Sequence, residues 1–166
     1  MTYLALGCTA LLAFVFAASA LGKIRSPGEF RASLPRLVPV PAALAGPLAG
    51  AVIAVEGLTA LLLALPVTRP AGLWLALALT LAFCGVVEHA VRQGAGIPCR
   101  CFGASSAPLG RRHLVRNGVL AASALTALLT GGARGADPAG VAVALAGAAC
   151  AALLVVRFDD VVELFA

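Results

Sequence analysis

The sequence predicts an all-α membrane protein, a single polytopic helical bundle of about five transmembrane helices, and three observations carry that prediction. The chain has 166 residues, 61% hydrophobic and 11% charged, with a mean hydropathy of +1.03, far too apolar for a soluble domain of its size. The apolar residues fall in runs of bilayer-spanning length, separated by short polar breaks. Those runs lack the alternation of a membrane barrel, so helices, which satisfy their own backbone in lipid, are required. The net charge of +5 does not indicate nucleic acid, because the basic residues lie in short loops and build no basic face.

The spans are expected near residues 3–21, 42–65, 71–91, 114–130 and 138–156, within one integral membrane domain covering 1–166. The first run, from Tyr3 to Leu21, is long enough to cross. Ala18-Ser19-Ala20 looks like a signal-peptidase site, but the cations Lys23 and Arg25 follow the run and none precedes it, so a retained helix is expected. From Gly22 to Pro41 the prolines at 27, 35, 39 and 41 break regular helix, which reads as a loop with a short interfacial helix around Glu29 to Leu37. The second run, Ala42 to Leu65, contains Gly46 and Gly50 at small-xxx-small spacing, a pattern that lets helices approach but arises easily in an Ala/Gly-rich chain. Pro66, Arg69 and Pro70 close it. The third run, Ala71 to Val91, ends among Glu88, His89 and Arg92. The fourth opens on Arg116 and Asn117, and a turn through Gly131–Asp137 leads to the fifth.

Between the third and fourth runs stands Ile97-Pro98-Cys99-Arg100-Cys101-Phe102-Gly103, the main polar interruption of the chain. Thiolate is the reactive form of cysteine, and the cation Arg100 between the two sulfurs favours it. Extended backbone would point the sulfurs apart, so a Cys99–Cys101 bridge needs a turn and a small distorted ring, which suits exchange better than stapling. The alternatives are a fragment of a metal site or two plain loop thiols. A closed zinc site lacks ligands here, and no metal is expected.

Cys8, Cys84 and Cys150 lie in apolar runs and read first as small buried hydrophobes, with a relay of thiols as the functional alternative. Glu56 is the one acid near the middle of a span, where a charge is costly, so it is expected to face the interior in a proton-handling, substrate or hydrogen-bonding role. Glu88 and Arg92 form an ordinary i,i+4 pair, and His113 beside Arg111 and Arg112 reads as a solvated loop residue. With the N-terminus outside, ten Lys/Arg fall inside and two, Arg69 and Arg134, outside. This positive-inside balance directs Cys99 and Cys101 toward the cytoplasm.

The chain resembles the MauE-type methylamine utilisation proteins, a branch of the DoxX-like membrane proteins. The resemblance runs nearly its whole length: Lys23 followed by Pro27-Gly28-Glu29-Phe30, Glu56-Gly57, Phe83 and then Arg92, Cys99-Arg100-Cys101-Phe102-Gly103, and Arg116-Asn117. It implies a multi-pass protein of the bacterial cell membrane that assists cysteine oxidation or maturation of exported disulfide-containing proteins, with a thioredoxin-like redox protein as partner. It also implies Cys99 and Cys101 as the redox pair, supported by Arg100, Phe102, Gly103 and Glu56. Two readings of other classes stay open. One is a non-catalytic scaffold or assembly factor; the other is a small transporter or quinone-linked bundle using Glu56. No cofactor is otherwise expected, and a quinone site would call for an aromatic-lined pocket in a chain with only 5% aromatic residues.

Overall fold

A computed structural model describes residues 1–92, 111–131 and 137–158. Six helices account for nearly all of them: α1 (Thr2–Arg25), α2 (Pro27–Leu37), α3 (Ala42–Ala64), α4 (Arg69–Arg92), α5 (Arg111–Thr130) and α6 (Pro138–Val156). No strand occurs among the described residues, and the chain is an all-helical membrane protein. The Cys99–Cys101 segment, with Arg100, Phe102 and Gly103, lies outside the described residues.

The bundle is built around α1. Half of its most apolar 18-residue stretch is buried, against 11% for α6, because α1 packs on α3, α5 and α6. Leu12, Val15 and Phe16 of α1 meet Leu63 of α3, Leu73 and Ala76 of α4, Leu120 and Ala124 of α5, and Ala152 of α6 in one apolar core. Alanines at so many contact positions bring backbones close, the packing that membrane helices use in place of a hydrophobic driving force. Large apolar side chains such as Leu61, Trp74, Leu129 and Leu153 point outward. That inverted surface is what lipid demands. The hydroxyls of Thr9, Thr59 and Thr80, all buried, donate to carbonyls one turn back in their own helices at 2.7 Å, so they cost the interior no unmade hydrogen bond.

By length and composition four helices, α1, α3, α4 and α6, can cross a membrane. The stretch expected as the fourth span is helical, yet α5 is not one of the four, because Arg112, His113, Arg116 and Asn117 occupy its first turns. It nevertheless runs the length of the bundle. Its first turns share a cavity with Lys23 near the end of α1, while Gly131, which follows it with a φ of 72°, lies with Ala5 and Thr9 near the start of α1. Polar side chains turned inward lower its apolarity without keeping it out of the bundle.

One local expectation needs correction. The first helix does not stop at Leu21 but continues to Arg25, so Lys23 belongs to a helix and not to a loop. The short helix expected at 29–37 is present as α2, with Pro27 at its first turn and Phe30, Leu34 and Leu37 at i, i+4, i+7 as its buried face. Gly46 and Gly50 make no close helix contact: a side chain at Gly46 would meet only the end of Arg31, and one at Gly50 would meet nothing.

The close approach occurs at Gly72 instead. A Cβ there would stand 2.9 Å from the Leu63 backbone nitrogen and 3.1 Å from the Leu62 carbonyl carbon, across the tight α3–α4 connection. Backbone cannot swing aside as a side chain can. Gly72→Ala will therefore cost about 1–3 kcal/mol, measured as a lowered unfolding midpoint in detergent.

At the same end of the bundle Asp137 caps α6, accepting from the Gly140 amide at 2.9 Å and from the Tyr3 hydroxyl. These bonds, led by that from Tyr3, hold the Asp137 carboxyl below its ordinary pKa of 3.8. A depressed carboxyl pKa gives stability that is present above the unfolded pKa and lost as pH falls through the folded one. The difference in thermal midpoint between wild type and Asp137→Asn should therefore shrink as the pH is taken down below 3.8.

Candidate functional site

Ser19 and Lys23 are four residues apart on α1 and so share one face of the helix. α3 runs antiparallel beside them and brings Glu56 onto that face. Lys23 Nζ donates to Glu56 Oε1 at 2.8 Å and to Oε2 at 2.9 Å, and also to Ser19 Oγ at 2.6 Å. Ser19 Oγ in turn donates to Glu56 Oε1 at 3.0 Å. Glu56 is 0% exposed and Lys23 3%, so the ion pair is fully withdrawn from water. Removing two charges from water is expensive, and only a close, hydrogen-bonded partner of opposite sign offsets it. The geometry supplies that partner through both carboxylate oxygens.

Two rings lie near the ammonium. The Phe30 centroid, on α2, is 5.2 Å from Lys23 Nζ, and the Phe83 centroid, on α4, is 6.0 Å away. Both distances are within reach of a cation–π attraction. His113, Arg116 and Asn117 enter from α5 and are buried to between 2% and 6% exposure. His113 thus departs from the solvated position expected of it, because the first turn of α5 faces the bundle and not water.

These groups line a cavity of about 260 Å³. The rest of its wall is apolar, with Leu34 of α2, Leu48 and Val52 of α3, and Leu79 and Val86 of α4. A few polar groups thus enter an otherwise greasy chamber, the general form of a small-molecule site. Five of the six helices contribute to it, α6 being the exception.

Glu56 occupies the interior position expected of it, and the partner that sequence reasoning missed is Lys23. Its position among Gly22, Arg25 and Pro27 made it look like a loop charge. The available signal was the Ser19/Lys23 spacing, set against the need of a buried carboxylate for a cation on a neighbouring helix. Glu88 and Arg92 form the expected i,i+4 surface pair at 2.7 Å. Cys8 and Cys84 are partly buried and Cys150 is exposed on α6. Cys150 therefore departs from the buried position expected of it, since α6 turns most of its surface outward. No cluster of three metal-ligating side chains exists among the described residues.

The segment that carries Cys99 and Cys101 leaves α4 after Arg92 and enters α5 at Arg111. Those helix ends belong to the half of the bundle that holds Val86, Val87 and His113, all on the cavity wall. A sequence-family model described as Methylamine utilisation protein MauE matches residues 1–130, a stretch that includes α1 to α5 and the Cys-x-Cys block. Neither a curated protein nor a solved structure matches the chain.

Proposed function

The chain belongs to the MauE family of methylamine utilisation proteins, and from that premise we propose that it is a thiol–disulfide maturation factor of the bacterial cell membrane. In this reading Cys99 and Cys101 exchange two electrons with a thioredoxin-like protein that serves exported, disulfide-containing proteins. The observation that carries the reading is the family match across the Cys-x-Cys block. Arg100 favours the thiolate form of its neighbours, and the ring of a Cys99–Cys101 bridge is strained toward exchange.

The exchange balances as follows. A partner thiolate attacks one sulfur of the Cys99–Cys101 disulfide, which breaks that bond and forms a mixed disulfide. The second partner thiolate then attacks the mixed disulfide, leaving the partner oxidised and Cys99 and Cys101 as a reduced pair. Two electrons have moved from partner to membrane protein. Lys23 and Glu56 take no part in this step and lock α1 to α3.

Orientation belongs to the same proposal. Lys23 and Arg116 are buried, so they drop out of the loop charges, and the balance becomes eight against two. The N-terminus outside and the Cys-x-Cys segment toward the cytoplasm remain the favoured arrangement, so the thioredoxin-like partner of this step meets the pair on the cytoplasmic side and exported proteins are served across the membrane from there. The test is the thiol state of the partner in cells carrying Cys99→Ser or Cys101→Ser. A shift of the partner toward its reduced form is expected. An unchanged partner, with the variant protein present at normal level, would favour a non-catalytic scaffold.

A further inference from the structure

We infer that the cavity beside Lys23 and Glu56 binds a quinone-class ligand, a single carbonyl-bearing ring drawn from the membrane. Three observations select this chemistry. The chamber lies among helices whose outer faces meet lipid, and its wall is apolar through Leu34, Val52, Leu79 and Val86, so its ligand partitions into hydrocarbon. Its volume of about 260 Å³ lies at the small end of the range of ligand pockets. That suits one substituted ring.

The third observation is the polar part of the lining. A guanidinium, an imidazole and an amide, from Arg116, His113 and Asn117, stand there beside the Lys23–Glu56 pair, whose ammonium already donates to both carboxylate oxygens and to Ser19. Both Glu56 oxygens already accept hydrogen bonds, from Lys23 and Ser19. Residues of this kind recognise an acceptor, such as a quinone carbonyl, in preference to a donor. Phe30 and Phe83 supply the aromatic walls that the composition made improbable, two of the chain's seven phenylalanines being gathered at one point.

A bound quinone also supplies what the thiol chemistry lacks, and this part rests on the proposed role of Cys99 and Cys101. The reduced pair gives two electrons and two protons to the quinone, which forms a disulfide on the protein and a quinol in the membrane. The pair is then ready for the next partner.

Binding is tested apart from that chemistry, on the full chain in detergent with Cys99→Ser and Cys101→Ser in place. An azido-quinone is photolysed on the protein, and the labelled peptides are mapped with and without excess ubiquinone-1 or decanoate. Label on α3 and α4 around Val52 and Phe83, removed by ubiquinone-1 and not by decanoate, is the expected result. Val52→Phe, which fills the chamber and keeps both members of the ion pair, should abolish the label while circular dichroism and thermal midpoint stay near wild type; should it unfold, Val86→Phe is the second filling variant. Label that no quinone displaces, that decanoate displaces equally well, or that survives in a folded filling variant would overturn the assignment. Binding that persists in the cysteine-free protein, together with an unaltered partner in cells, would sink the thiol reading and leave the site standing.

Discussion

Glu56→Ala will cost the bundle about 3–5 kcal/mol, because it strands the Lys23 ammonium in an interior where water does not reach. Lys23→Met will cost a comparable amount by leaving the Glu56 carboxylate alone. The loss comes from the uncompensated charge more than from the missing contact. The double variant Lys23→Met/Glu56→Met removes both charges and should therefore recover most of the stability, since apolar residues of similar volume often replace a buried pair without penalty. Thermal or SDS-induced unfolding of the purified proteins gives the comparison directly. Single variants as stable as wild type would mean that the pair is wet, contrary to its 2% and 0% side-chain exposure.

The second large effect falls on activity. Cys99→Ser and Cys101→Ser should each abolish oxidation of the partner, and the double variant should be no worse than either single one. Residues that work as a unit lose their function together, and the losses do not add. Serine differs from cysteine by a single side-chain atom, so the unfolding free energy should stay within about 1 kcal/mol of wild type. A thiol variant that failed by unfolding would show the opposite pattern.

Much of this protein was legible in its sequence. The helices at 42–64, 69–92 and 138–156 stand where hydropathy puts them, since a bilayer-long apolar run has no other stable form in lipid. Glu56 announced itself as a costly charge in such a run. Lys23 and His113 did not. Both adjoin other basic residues at helix ends, where solvent is the ordinary destination, and only the tertiary contact of α1, α3 and α5 reveals that their faces turn inward. α5 shows the same limit from the other side: its apolarity is diluted by groups that line the cavity, so composition alone undervalues it. Gly46 and Gly50 carry the familiar spacing, yet Gly72 makes the close contact, because helix approach depends on which face meets a neighbour.

The most direct test of the central claim is capture of the mixed disulfide. Membranes from cells expressing Cys99→Ser or Cys101→Ser are quenched with acid and alkylated, and their disulfide-linked species are resolved without reductant and identified by mass spectrometry. In one of the two single variants the lone thiolate should attack the disulfide of the oxidised partner, breaking that bond and holding a thioredoxin-like protein as a mixed disulfide that disappears on reduction, while the double variant holds none. Absence of an adduct in both single variants, with the protein folded and its remaining thiol reactive toward maleimide, would contradict thiol exchange as the function of this chain.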